Sequence, residues 1–129
     1  MITGTYASLL ALLLVTLSCR VIALRGTPIF KWFAFGNDGE QSLRRAIRGH
    51  GNLIEYAPIF LILMLVAETG GLKETALHSY GIVFLVGRLM HGLCFGFLEH
   101  SPILRVGGTA LTLGSMLGLA VLVLMRYAA

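Results

Sequence analysis

The chain has 129 residues, of which 57% are hydrophobic and 12% charged, and its mean hydropathy is +0.84. This composition excludes an ordinary water-soluble domain, where charged residues make up about a quarter of the sequence. The net charge of +4 does not indicate nucleic-acid binding, because no basic patch is interleaved with aromatic residues. We therefore expect an integral membrane protein of one domain.

Four apolar stretches are long enough to form membrane helices, since a bilayer core about 30 Å thick requires about 20 mostly apolar residues. The sequence predicts one all-α domain over residues 1–129, with four transmembrane helices at about 6–24, 38–68, 76–98 and 103–126. The second helix extends backwards through QSLRRAIRGHG, which contains no proline, and Asn37 or Asp38 is expected to cap it.

Other local patterns indicate that the N-terminal segment is retained and that the bundle holds no metal. The first basic residue, Arg20, follows the first apolar run, whereas a signal peptide carries positive charge before it. Cys19 and Cys94 form no CxxC pair and have no zinc-type spacing, so neither a disulfide nor a metal site is predicted. His78 and His100 are expected at the membrane surface.

Basic residues concentrate around the first and third connections. Cytoplasmic loops of membrane proteins carry an excess of Lys and Arg. This asymmetry places loops one and three in the cytoplasm and both termini outside. The residues concerned are Arg20, Arg25, Lys31, Arg44, Arg45, Arg48 and Arg105.

A polar stripe follows one face of the second helix. Each helical residue advances by about 100°, so residues three, four and seven apart share a face. Such a stripe does not face lipid, because a charged side chain inside the bilayer is costly without partners. Its members are Gln41, Arg44, Arg45, Arg48, Asn52 and Glu55, with Tyr56 at the edge.

The third helix carries Arg88 and His91 on one face. A rise of about 1.5 Å per residue places Glu55 and His91 at similar depths, about 10 Å inside the cytoplasmic boundary. Arg88 and Glu55 are expected to form a buried ion pair that fixes helix register. Arg48, Asn52 and Glu55 instead favour a ligand site, because arginines outnumber acids at this end and an anionic ligand would balance them.

The pattern R-x-x-x-N-x-x-E-Y-x-P, formed by Arg48, Asn52, Glu55, Tyr56 and Pro58, together with FLVGRLMH, resembles the MAPEG superfamily. These are the membrane-associated proteins in eicosanoid and glutathione metabolism, and the chain looks most like bacterial members related to microsomal glutathione transferases. The resemblance implies a left-handed four-helix bundle in the bacterial inner membrane, assembled as a homotrimer. It also implies that glutathione binds near the cytoplasmic side, between neighbouring subunits.

The resemblance further implies a detoxifying glutathione transferase, with glutathione peroxidase activity as a second expectation. Glutathione would be the co-substrate without a metal, and a lipophilic electrophile would arrive through the membrane lipids. Arg105 would favour the glutathione thiolate and is the candidate catalytic residue. The matching positions for glutathione binding are Arg25, Arg48, Asn52, Glu55, Tyr56 and His91, while Phe95 stands where some relatives have a tyrosine.

Two other functions remain open from the residues alone. A small multidrug-type transporter could bind cations at the membrane carboxylate of Glu55, although the neighbouring arginines would repel a cationic drug. A non-catalytic helical scaffold or lipid-binding subunit would tolerate Arg48→Ala without loss of function.

Overall fold

The computed structural model describes residues 1–99 and 101–128 and contains four long helices. His100, expected at the membrane surface, lies outside the described residues. Each helix is long and apolar enough to cross a membrane, which confirms the prediction of an all-helical protein with four such segments. The helices are α1 (Ile2–Leu24), α2 (Glu40–Thr69), α3 (Glu74–Phe97) and α4 (Pro102–Tyr127).

One apolar core joins all four helices. The rings of Phe60 and Phe84 stack with centroids 3.8 Å apart, and Leu17, Met64 and Leu119 are buried around them. Apolar side chains on the outer faces, such as those of Ile62 and Leu117, remain exposed and suit contact with lipid. The α2 helix runs continuously through Pro58, where the sequence predicts a bend or loosening.

The backbones of α3 and α4 approach each other closely at two glycines. A Cβ atom added to Gly87 would lie 2.9 Å from the carbonyl oxygen of Gly108, and one added to Gly108 would lie 2.8 Å from that of Gly87. Small residues permit this approach of two membrane helices. Gly118 likewise packs under Tyr80, whereas Gly114 has nothing within 4 Å.

The start of α2 differs from the expected cap. Gly39 occupies the N-cap position and makes no side-chain cap bond. Asn37 instead accepts a hydrogen bond from the Gly39 N–H (2.8 Å), and Asp38 accepts one from the Ser42 hydroxyl. The Ser42 bond holds the pKa of the Asp38 carboxyl below its ordinary value. The expected caps were wrong because the Asn37 side chain bonds within the turn before the helix, and the Asp38 side chain bonds the Ser42 hydroxyl instead of a free backbone N–H group of α2.

Arg20 links the connection between α1 and α2 to the end of α3 through hydrogen bonds. Its Nε donates to the carbonyl oxygen of Gly96 (2.8 Å), and its Nη1 donates to those of Phe33 (2.6 Å) and Phe35 (2.8 Å). The guanidinium carbon also lies 5.2 Å from the ring centroid of Phe97. The last carbonyls of a helix carry partial negative charge, so the arginine is well placed beside them.

The opposite end of the bundle is held by Glu68. Its carboxylate accepts the backbone N–H groups of Ile2 (2.6 Å) and Thr3 (2.8 Å), which begin α1. Nearby, the Tyr6 hydroxyl lies 3.1 Å from Nδ1 of His78 and donates to its carbonyl oxygen. Helix N-termini have unsatisfied donors and a partial positive charge, so this carboxylate satisfies both.

Candidate functional site

A cavity of about 560 Å³ lies between α2, α3 and α4, at the end of the bundle that carries the first and third connections. We call it the arginine cavity. Its volume is within the range of small-molecule sites, about 300–1,000 Å³. The residues that line it are Arg44, Ile47, Arg48, Gly51, Asn52, Glu55, His91, Phe95, Arg105 and Thr109.

The cavity brings together five of the seven residues expected to handle glutathione. Arg48, Asn52 and Glu55 recur at helical spacing on one face of α2, while His91 comes from α3 and Arg105 from the first turn of α4. Gly51, on the same face of α2, has nothing within 4 Å of an added Cβ atom and leaves space in the cavity. Four members of the stripe derived from periodicity, Arg44, Arg48, Asn52 and Glu55, therefore face a void shared by three helices, whereas Gln41 and Arg45 line a neighbouring cavity.

Two cavity arginines keep their charges unpaired. In residues 1–99 and 101–128, the side chains of Arg48 and Arg105 make no hydrogen bond or ion pair. The Glu55 carboxylate is equally without a partner there. Arg44 differs, because it forms an exposed ion pair with Glu40 at 2.8 Å. The cavity thus offers two free guanidiniums and one free carboxylate to a ligand.

Aromatic stacking supports the side of the cavity opposite α2. The His91 ring stacks on Phe95 with centroids 4.5 Å apart, and the guanidinium carbon of Arg105 lies 5.9 Å from the Phe95 centroid. The resemblance marks Phe95 as a position where some relatives have a tyrosine, but Phe95 was not included among the expected binding residues, although it lies four positions after His91 and hence on the same helix face. Thr109 was also missed and stands four residues after Arg105 by the same spacing.

Arg88 does not pair with Glu55, so the expected ion pair is wrong. Its Nη1 donates to Oδ1 of Asn52 (2.6 Å) and its Nε donates to Oγ1 of Thr112 (3.0 Å). Arg88 is only 3% exposed and does not line the cavity. Charged groups inside a membrane seek polar partners, and two neutral side chains meet that need here without a carboxylate.

Tyr56 and Arg25 lie outside the arginine cavity. The Tyr56 ring centroid lies 5.3 Å from the guanidinium carbon of Arg88. Arg25, at the end of α1, lines a separate cavity of about 210 Å³ that also includes Ser18 and His50. Ile47 borders both cavities, so the body of α2 separates Arg25 from the arginine cavity within one chain.

Main-chain carbonyls account for much of the arginine surplus seen in the sequence. Arg45 donates to the carbonyl oxygens of Leu98 and Glu99, the latter at 2.7 Å, and Arg20 binds three carbonyls. Counting arginines against acidic residues overlooked these acceptors. The surplus that remains consists of the side chains facing the cavities.

Comparisons with known proteins agree with this architecture. Residues 3–125 match the sequence model of the MAPEG family. The chain is 45% identical over 91 residues to the inner membrane protein YecN of Escherichia coli K12 and to its counterpart in Escherichia coli O6:H1. The aligned segment covers 70% of this chain and 67% of each relative. No solved structure matches the chain.

The family match spans nearly the whole chain and includes all four helices that are apolar enough to cross a membrane. The relatives are named as inner membrane proteins, which agrees with four helices that are apolar enough to cross a membrane. The chain therefore belongs to the MAPEG family of membrane proteins.

Proposed function

We propose that this protein is a membrane-bound glutathione transferase, with glutathione peroxidase activity, that holds glutathione in the arginine cavity and directs its thiolate at lipophilic electrophiles. The observation that carries the proposal is the pair of unpartnered guanidiniums of Arg48 and Arg105 around a void that also contains Glu55. Charged side chains that surround a cavity of ligand size without a protein partner among the described residues are expected to serve a ligand.

The charges of the cavity are complementary to the tripeptide. Glutathione carries two carboxylates and one ammonium group. Arginine binds carboxylates through forked, charge-assisted hydrogen bonds, which suits Arg48, and the Glu55 carboxylate suits the ammonium. A cationic drug would gain only Glu55 and would meet the neighbouring guanidiniums, so the cavity favours an acidic ligand over the cargo of a multidrug transporter.

Arg105 is the proposed catalytic residue. The thiolate is the reactive form of a thiol, and a nearby positive charge lowers the pKa of a thiol. The thiolate sulfur then attacks an electrophilic carbon, forming a C–S bond while a leaving group such as halide departs with its bonding electrons. With a hydroperoxide, the thiolate takes the terminal oxygen and an alcohol leaves. The first step leaves a sulfenic acid on glutathione, and the thiol of a second glutathione attacks its sulfur, which forms glutathione disulfide and releases the oxygen as water.

The proposed assembly is a homotrimer of left-handed bundles, with the cavity end in the cytoplasm and both termini outside. In that arrangement the cavity lined by Arg25 on one subunit faces the arginine cavity of its neighbour, and glutathione lies between them. Two observations support it: the two cavities lie on either side of Ile47, and Arg25 is exposed. Exposed Ile103 and Val106, beside Arg105 on α4, would let the electrophile enter from lipid.

The test is glutathione conjugation to a generic aryl halide by the protein purified in detergent, together with glutathione binding measured by calorimetry. We expect measurable turnover and binding, and a strong loss of binding in Arg48→Ala. Arg126→Ala, at the opposite end of the bundle, is the matched control and should behave like the unmodified protein. Undetectable turnover with no glutathione binding would contradict the proposal. Proton-coupled dye efflux from vesicles would favour the transporter instead.

A further inference from the structure

We infer that Arg88 is a positioning residue that holds the Asn52 carboxamide with its NH2 group, rather than its oxygen, facing the arginine cavity. The site would then select a hydrogen-bond acceptor at this point of its ligand, a carboxylate or a peptide carbonyl oxygen. This inference rests on the proposed function and specifies one subsite of it.

The orientation of Asn52 follows from the chemistry of arginine. A guanidinium has only donors, so the carboxamide atom 2.6 Å from Arg88 Nη1 must be the oxygen. The oxygen and nitrogen are the two branches of the planar carboxamide, so with the oxygen on Arg88 the NH2 group occupies the other branch. Asn52 lines the cavity and Arg88 does not. With the oxygen on Arg88, the NH2 group is the part of the carboxamide left for the ligand space.

Arg88 is itself held from a third helix. Its Nε donates to Thr112 Oγ1 (3.0 Å), and the Thr112 hydroxyl donates in turn to the carbonyl oxygen of Gly108 (2.7 Å). Because that hydroxyl proton is committed to Gly108, its oxygen lone pairs are available to Arg88. The close contact between Gly87 and Gly108 brings Thr112 within reach. A chain of hydrogen bonds thus runs from α4 through α3 to the cavity wall on α2.

Because of these hydrogen bonds, the polar face of α2 presents a donor at Asn52 and an acceptor at Glu55. Asn52 presents N–H groups, whereas an ionised Glu55, three residues later on the same face, presents only acceptors. A carboxamide free to rotate could offer either its oxygen or its NH2 group. With its oxygen engaged by Arg88, Asn52 rejects an ammonium group and directs it to Glu55. The pair would therefore orient a ligand that carries both kinds of group.

The first experiment needs no ligand. The sequence contains only two asparagines, Asn37 and Asn52, so ¹⁵N-asparagine labelling gives two side-chain NH2 signals, and Asn37→Ser assigns them. We expect Arg88→Met, a neutral residue of similar length, to shift or broaden the Asn52 signal while the Asn37 signal stays in place. Arg88→Lys retains a donor, so the Asn52 signal should return part of the way to its position in the unmodified protein. An Asn52 signal that is unchanged in Arg88→Met would overturn the inference.

The second experiment measures glutathione affinity by calorimetry. Asn52→Asp can still pair with Arg88 but offers only oxygens to the cavity, so we expect affinity to fall about tenfold or more without a lower unfolding temperature. Arg88→Met should weaken affinity when Asn52 is present and add nothing in the Asn52→Ala background, because coupled residues are not additive. In conjugation assays the loss should raise KM more than it lowers kcat.

The outcomes separate this inference from the proposed function. If the unmodified protein binds no glutathione, the proposed function fails, and the asparagine signals alone decide whether Arg88 orients Asn52. If the unmodified protein binds glutathione and Asn52→Asp binds it equally well, the proposed function stands and the donor role of Asn52 is overturned. Equal effects of Arg88→Met with and without Asn52 would show that Arg88 acts by another route.

Discussion

Both ends of the bundle carry polar side chains, but these side chains have different roles. At the end held by Glu68, the carboxylate binds the first amides of α1, and Tyr6 binds His78. At the arginine end, Arg48 and Arg105 face a void without protein partners in the part of the chain that the structure describes. A polar cluster alone does not mark a site; unpartnered polar groups around a space of ligand size do.

The end of the bundle that contains the arginine cavity includes both arginines with protein partners and arginines without them among the described residues. Arg20 and Arg45 are engaged by main-chain carbonyls, and Arg88 by two side chains of other helices. These three hold the structure together around Arg48 and Arg105, which remain free. Substitutions of Arg20 and Arg45 should therefore lower stability, and substitutions of Arg48 and Arg105 should lower function at constant stability. Substitution of Arg88 should affect both, because Arg88 also orients Asn52.

The largest expected effect is that of Arg105→Ala. Removing a group that stabilises developing or reactive negative charge typically costs about 10²–10³ in kcat. We expect turnover to fall by that order while glutathione affinity falls much less, as measured by steady-state kinetics and calorimetry on the same preparation. Arg105→Lys, which keeps a positive charge, should retain part of the activity. Equal losses in turnover and affinity would reduce Arg105 to a binding role.

Arg20→Met should have the next largest effect, on stability. Three carbonyl oxygens would lose a charged donor, and leaving buried polar groups unsatisfied costs about 1–3 kcal/mol. The expected result is a lower unfolding temperature in detergent and faster proteolysis in the first connection. Lys31→Met, in the same connection and exposed, is the control and should change neither. An unchanged unfolding temperature in Arg20→Met would show that the three hydrogen bonds of Arg20 do not stabilise the fold.

Glu68→Gln tests the opposite end of the bundle. The amide can still accept a hydrogen bond, but it loses the negative charge that favours the first turn of α1. We expect a modest decrease in unfolding temperature, with glutathione affinity and turnover unchanged because Glu68 lies far from the arginine cavity along α2. A change in glutathione affinity would show that the two ends of the bundle are coupled and do not act independently.

The smallest effect is expected for the stability of Glu40→Gln. This change removes the exposed ion pair with Arg44, and such pairs on a helix contribute about 0.3–0.5 kcal/mol. The unfolding temperature should stay nearly constant, and it should no longer contain the salt-dependent contribution of this ion pair. A substantial decrease would mean that the Arg44–Glu40 pair organises the start of α2.

Sequence reasoning went furthest where the signal is local. Hydropathy located four helices whose ends lie within four residues of the structural bounds, and helical periodicity placed Arg48, Asn52 and Glu55 on one face. It failed for the caps of α2, because Asn37 and Asp38 can serve either a helix or the preceding turn. The role of Phe95 stayed open as well: the resemblance marked its position, but the contacts of its ring with His91 and Arg105 depend on the tertiary structure.

The sequence by itself determined that the protein is a four-helix membrane protein of the MAPEG type with a polar stripe on α2, because apolar length, helical period and a motif are all properties of contiguous residues. Only the tertiary structure decided which arginines are free. Backbone carbonyls accept from Arg20 and Arg45 but leave no trace in composition, and the Gly87–Gly108 contact supplies Thr112 to Arg88 in place of Glu55. Those pairings depend on where helix ends and helix crossings fall in space.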